Sequence, residues 1–238
     1  AIMSHPGIAQ VYEAGTTVDG RPYFVMEYVK GQPVTDACDV NHLNTTERLQ
    51  LMREVCEAVQ HAHQKGVIHR DLKPSNILVV RGDDDTLHPK IIDFGIAKAT
   101  GQQLTDMTLV TQVGHFIGTP AYMSPEQADL NVSDIDTRSD VYSLGVVLYE
   151  VLSGRPPFAP GTLRAAGLEE MRRIIREDAP PRPSTQLETT AGKEAAMIAK
   201  SRQTELPSLA SVLRRELEWI PLKALRKHRS ERYDSALM

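Results

Sequence analysis

Residues 69–76 read His-Arg-Asp-Leu-Lys-Pro-Ser-Asn, flanked by Val67-Ile68 before and Ile77-Leu78-Val79-Val80 after. A charged octet containing a proline, set between β-branched runs, cannot continue either neighbour and must be a loop at the end of a strand. A second polar triplet, Asp93-Phe94-Gly95, follows another apolar run, Lys90-Ile91-Ile92. The pattern predicts two short strands, residues 77–80 and 90–92, joined by the acidic turn Gly82-Asp83-Asp84-Asp85. Two polar loops therefore lie side by side at the ends of a small strand pair.

Helical patterning surrounds this pair. In residues 45–65, Leu49, Met52, Val55, Cys56, Val59 and Ala62 recur at three- and four-residue steps, Thr45 or Thr46 stands ready to cap, and Gly66 stops the run. Residues 140–152 are apolar nearly all round, as in a buried helix, with Gly154 at its end and Pro156-Pro157 beyond. Two more helices are expected near 162–176 and 213–227. Between them, about residues 179–210 read as a linker or insertion rich in Pro, Thr, Ser and Ala. Before the first helix, residues 8–12 and 23–26 read as strands around an Asp19-Gly20 hairpin turn. The predicted class is α+β: a remnant β lobe over residues 1–29, then a mainly α lobe over 30–238.

Composition narrows the alternatives. The chain has 238 residues, is 41% hydrophobic and carries a net charge of −4. That suits a domain with a real core and gives no basic surface for nucleic acid. Two cysteines, Cys38 and Cys56, without a CxxC or a His/Cys cluster, argue against a disulfide framework or zinc site and point to a reducing, cytoplasmic setting. No apolar stretch is long enough to cross a bilayer.

The octet, the triplet, Gly118-Thr119-Pro120 and Ser124-Pro125-Glu126 together resemble the eukaryotic-like (Hanks-type) serine/threonine protein kinases. The resemblance covers most of the chain and implies a two-lobed kinase fold. Asp71 would be the base that takes the proton of an acceptor hydroxyl, and Lys73 would steady the transferring phosphoryl group. Asn76 and Asp93 would offer oxygen ligands to Mg²⁺, with Mn²⁺ as a substitute, beside ATP; Mg²⁺ favours a few hard oxygens shared with phosphates. Lys73 and Thr119 fit the Ser/Thr members and not the Tyr members. Phe24-Val25-Met26-Glu27-Tyr28-Val29 resembles the last strand and hinge. There Met26 would guard the back of the adenine pocket, Glu27 and Val29 would bond adenine through backbone groups, and Leu78 would lie under the ring. Residues 93–126 would be the activation segment, with Thr105, Thr108 and Thr111 as candidate phosphosites read by Arg70. Glu126 would pair with Arg232, and Asp140 would hold the backbone of the His-Arg-Asp loop, both as structural residues.

Pro180-Pro181-Arg182-Pro183-Ser184 and residues 213–233 look like bacterial members of the family. The resemblance implies protein substrates with Ser/Thr acceptors and a kinase homodimer for trans-phosphorylation. The pattern departs from the family in one respect. No Gly-x-Gly-x-x-Gly loop, strand Lys or helix Glu is found, and His5-Pro6 resembles the segment just after that helix. The expectation is an N-terminally truncated piece that on its own binds ATP poorly and transfers little. Two other functions compete. A pseudokinase scaffold would not need a base and two metal ligands together. Small-molecule phosphotransferases resemble His-Gly-Asp-x-x-x-x-Asn and lack the Gly-Thr-Pro to Pro-Glu segment.

Overall fold

A computed structural model describes residues 4–94, 120–129 and 134–237. The first strands, β1 (Val11–Thr16) and β2 (Pro22–Met26), pair antiparallel with an irregularity between Val11 and Glu13. Gly20 closes their turn at φ +82°, a conformation that costs a residue without Cβ little.

A three-stranded antiparallel sheet follows in the order β3 (Gln32–Pro33), β4 (Ile77–Arg81), β5 (Leu87–Ile91). Ile91 also exchanges backbone hydrogen bonds with Gly7 and Ala9, which fastens the lead into β1 onto β5.

Helix α1 (Val34–Val40) leads to α2 (Thr45–Gln64). Asn44 caps α2, where Thr45 or Thr46 was expected. Glu47 N–H donates to Asn44 Oδ1 (3.1 Å) and Asn44 N–H donates to Glu47 Oε2 (2.8 Å), so two orphan donors are satisfied reciprocally. Met52, Val55, Val59 and Ala62 are buried as the periodicity predicts, and Leu51 and Ala58 complete the face.

The short α3 (Pro125–Ala128) precedes α4 (Thr137–Ser153), which is buried on every side and ends at Gly154 in the left-handed region. The single helix expected over 162–176 is two, α5 (Pro160–Ala165) and α6 (Leu168–Glu177). Gly167, at φ +76°, breaks it.

The run read as a linker or insertion is helical, forming α7 (Pro183–Glu188), α8 (Gly192–Ser201) and α9 (Leu206–Val212). Leu187, Ile198, Leu209 and Ala210 bury themselves against Leu152 and Leu213. A few apolar residues at helical spacing suffice where the bulk composition reads as loop. The last expected helix begins with a π turn, Leu213–Leu217, in which Glu218 N–H reaches back to Leu213 C=O (2.8 Å). Pro221, with no N–H to donate, lies in the following α10 (Trp219–Ala224).

Two buried arginines bind these helices together. Arg48, 1% exposed, donates to the carbonyls of Cys38, Leu43, Val151 and Ser201 at 2.7–3.2 Å. Arg202 donates to those of Leu152 and Val151 at 2.8 and 2.9 Å. Apart from Leu43, which lies between α1 and α2, these acceptors are C=O groups in the last turns of α1, α4 and α8, where a cation is favoured.

Candidate active site

The octet leaves α2 through Gly66 and returns as the single 3₁₀ turn Pro74–Asn76 at the head of β4. Its backbone is held from α4. Asp140, fully buried in the first turn of that helix, accepts His69 N–H on Oδ2 and Arg70 N–H on Oδ1, both at 2.8 Å. His63, near the end of α2, donates its Nε2–H to the same Oδ2 (2.7 Å). Arg70 has φ +69°, a strained setting for a residue with Cβ.

His69 is fixed at both ring nitrogens. Nδ1 accepts Asp71 N–H (3.2 Å) and Nε2–H donates to Ile92 C=O (3.0 Å), which sets the tautomer. Three of the sequence-predicted residues meet at one carboxylate. Lys73 Nζ lies 2.6 Å from Asp71 Oδ2, and Asn76 Nδ2 lies 3.3 Å from that oxygen and 2.8 Å from Asp71 C=O. The Asp71 side chain is 64% exposed, so its free edge faces solvent. Asn76 is buried and commits its amide nitrogen to Asp71, so its amide oxygen is the atom left for a cation.

Asp93 is brought to this loop by its neighbours. Ile92 N–H donates to Asn76 C=O (2.9 Å), and the Phe94 ring meets the His69 ring edge-on at 4.7 Å. Asp93 itself has φ +64° and is half-buried. Among the described residues its carboxylate has no protein partner. Two hard oxygens thus stand at adjoining loop ends, a donor set that fits a magnesium ion shared with phosphates.

The residues expected to form the hinge lie around the end of β2 and the start of β4. Met26 ends β2 half-buried. Glu27 joins its carboxylate to Lys90 on β5 and to Gln10 N–H (3.2 Å), and its own N–H donates to Gln10 C=O (2.8 Å). The Lys90 hydrogen bond holds this carboxyl below the usual range, against the opposing effect of burial. Leu78 is the cross-strand partner of Lys90, and Gly31 approaches so closely that a Cβ there would lie 3.1 Å from Leu78 Cβ. Val29 C=O accepts Gly31 N–H at 3.1 Å. Met26, Glu27, Val29 and Leu78 therefore belong to one neighbourhood.

Arg232 and Glu126 form a two-armed ion pair at 2.7 and 2.8 Å, and Ser139 Oγ–H donates to Glu126 as well (2.5 Å). Thr105, Thr108, Thr111 and Thr119 lie outside the described residues. Sequence reasoning missed His63, Lys90 and Gln127. Each is a lone polar residue whose partner is distant in sequence; only the position of His63, near the end of the helix before the octet, hinted that it faces the loop.

A strand hairpin, a small antiparallel sheet, two Asp-bearing loops at the ends of its strands and a buried helix gripping the first of them define a kinase-type catalytic lobe. The Protein kinase domain family matches residues 1–230, and the chain belongs to that family. Serine/threonine-protein kinase PknB of Mycobacterium leprae is 38% identical over 205 residues, which is 84% of this chain and 30% of that protein. PknB of Mycobacterium tuberculosis is 39% identical over the same shares. Serine/threonine-protein kinase PknA of Mycobacterium tuberculosis is 39% identical over 220 residues, 89% of this chain and 48% of that protein. The chain thus spans less than half the length of these relatives. No described helix is long and apolar enough to cross a membrane.

Proposed function

We propose that the protein carrying this domain transfers the γ-phosphoryl group of ATP to serine and threonine hydroxyls of protein substrates. The observation that supports this most is the meeting of Lys73 and Asn76 on the Asp71 carboxylate, with Asp93 at the adjoining loop end. ATP bound with Mg²⁺ or Mn²⁺ supplies the phosphoryl group and charge neutralisation on its oxygens. Asp71 orients the acceptor hydroxyl and takes its proton as the new bond forms. Lys73, already beside that carboxylate, turns its ammonium to the oxygens of the transferring group. Asn76 and Asp93 present the metal-binding oxygens. Glu27 and Val29 meet adenine through backbone groups between Met26 and Leu78.

Arg70 is the reader of an activation-segment phosphate, with Thr105, Thr108 and Thr111 as acceptors, and a second copy of the kinase is the partner that places it. Thr119 joins Asp71 and Lys73 in selecting Ser/Thr acceptors. Glu126, Asp140 and Arg232 serve the framework.

Radioactive phosphate transfer to a panel of Ser, Thr and Tyr peptides tests the reading, on this chain and on the chain extended by the upstream lobe of a PknB relative. We expect weak transfer by the chain alone and Ser/Thr transfer by the extended form. Asp71→Asn should lower the latter at least about 100-fold. Equal transfer by Asp71→Asn and its parent would overturn the assignment.

A further inference from the structure

Arg70 sits at φ +69° directly before the carboxylate on which the proposed chemistry turns. A residue with Cβ keeps such a conformation only where its surroundings fix the peptide groups on both sides. On the N-terminal side Asp140 does so through Arg70 N–H. On the C-terminal side the partner comes from α3: Gln127 Nε2–H donates to Arg70 C=O at 2.6 Å. Among the described residues, the rest of that peptide has only the long Asp71 N–H to His69 Nδ1 contact, 3.2 Å, within the same loop.

Gln127 is itself immobilised. Its Oε1 accepts Ser124 N–H (3.1 Å) and Ser124 Oγ–H (3.0 Å), and its own N–H faces Ser124 Oγ (3.4 Å). The helix turn that carries it is anchored through Glu126 to Arg232 and Ser139. A rigid path therefore runs from Arg232 through Glu126 and the α3 backbone to the peptide joining Arg70 and Asp71.

We propose that Gln127 is a positioning residue that sets the Arg70–Asp71 peptide, and with it the aim of the Asp71 carboxylate, from the framework of α3. Its catalytic consequence rests on the kinase reading; the clamp itself does not. One side chain does two separable things here, accepting from Ser124 and donating to Arg70. Gln127→Glu keeps the acceptor for Ser124 but has no proton for the Arg70 carbonyl. Gln127→Lys keeps a donor for that carbonyl and loses the acceptor.

The test is amide hydrogen exchange over residues 70–73 in the full chain without nucleotide. Gln127→Glu should raise it about tenfold, the scale of one lost hydrogen bond, with α6 amides unchanged. Gln127→Lys should stay within about twofold of the parent. In the lobe-extended form, Gln127→Glu should lower kcat about tenfold and leave KM for ATP unchanged. Parent-like exchange in Gln127→Glu, or equal acceleration in Glu and Lys variants, overturns the clamp and marks Gln127 as a capping residue only. Absence of phosphate transfer by the extended parent would sink the kinase reading and leave the exchange result to judge the clamp alone.

Discussion

Arg232 grips Glu126 with both guanidinium arms, at 2.7 and 2.8 Å, and the two side chains are 0% and 7% exposed. Such a pair owes its effect to mutual dependence, because either charge left alone in the interior is strongly unfavourable. Arg232→Met should cost about 3–5 kcal/mol in chemical denaturation, and Arg232→Met with Glu126→Met should recover much of that loss. A double variant as unstable as the two single losses combined would contradict the coupling.

The same pair carries a pH signature. Burial disfavours the Glu126 carboxylate, but the Arg232 hydrogen bond and charge, with the Ser139 hydroxyl, outweigh it and hold the group below its ordinary 4.5. A depressed folded pKa means stability present above 4.5 and lost as pH falls below it through the folded value. The acid limb of the parent's stability curve should therefore be shallower in Glu126→Gln. Identical acid limbs would rule this out.

Asp140 is the acceptor for three donors from two other segments, the His69 and Arg70 amides and the His63 ring. Asp140→Ala should cost about 3–5 kcal/mol, since it orphans all three in a buried site. His63→Ala should cost less, because both amides keep their partner. Equal losses in the two variants would show that the ring, not the carboxylate, secures the loop.

Gly145 lies where α4 crosses α10. A Cβ there would come within 2.6 Å of Ala224 Cβ. Alanine gains about 1 kcal/mol in helix propensity, yet overpacking costs about 1–3 kcal/mol. Gly145→Ala should therefore lower the melting temperature, and Ala224→Gly should relieve it in the double variant. A Gly145→Ala protein more stable than the parent would show that the helices can move apart.

What the sequence disclosed depended on whether a signal was contiguous. The octet and Asp93-Phe94-Gly95 were legible because their chemistry is written in neighbouring residues. Helix α4 was legible because it is apolar on every side, and α2 because Met52, Val55, Val59 and Ala62 keep step. Arg48 and Arg202 were not, since pattern alone assigns charged residues to the surface while their partners are carbonyls of distant helix ends. Helices α7 to α9 were hidden by their Thr, Ser and Ala content. Gln127 and Lys90 escaped notice because their partners, Arg70 and Glu27, are supplied only by the tertiary fold.

Lys227 offers a test in the alkaline range. Its ammonium donates to Ile175 C=O at 2.6 Å and lies 5.1 Å from the centre of the Phe158 ring. Burial pushes its pKa down from 10.5 to about 8, with Asp178 opposing the shift and Arg232 adding to it. Between about 8 and 10.5 the unfolded chain keeps a proton that the folded chain releases, so this group adds stability as pH rises through that window. Burial acts oppositely on Cys38 and Cys56, raising them from 9.0 to about 11 and about 12, so their contribution falls above pH 9. Comparison with Lys227→Met removes the shared cysteine term. From about pH 7 to about pH 9.5, urea midpoints of the parent should gain on those of Lys227→Met. A constant difference across that range would mean that Lys227 titrates alike in both states and that the aromatic wall around it does not exclude water.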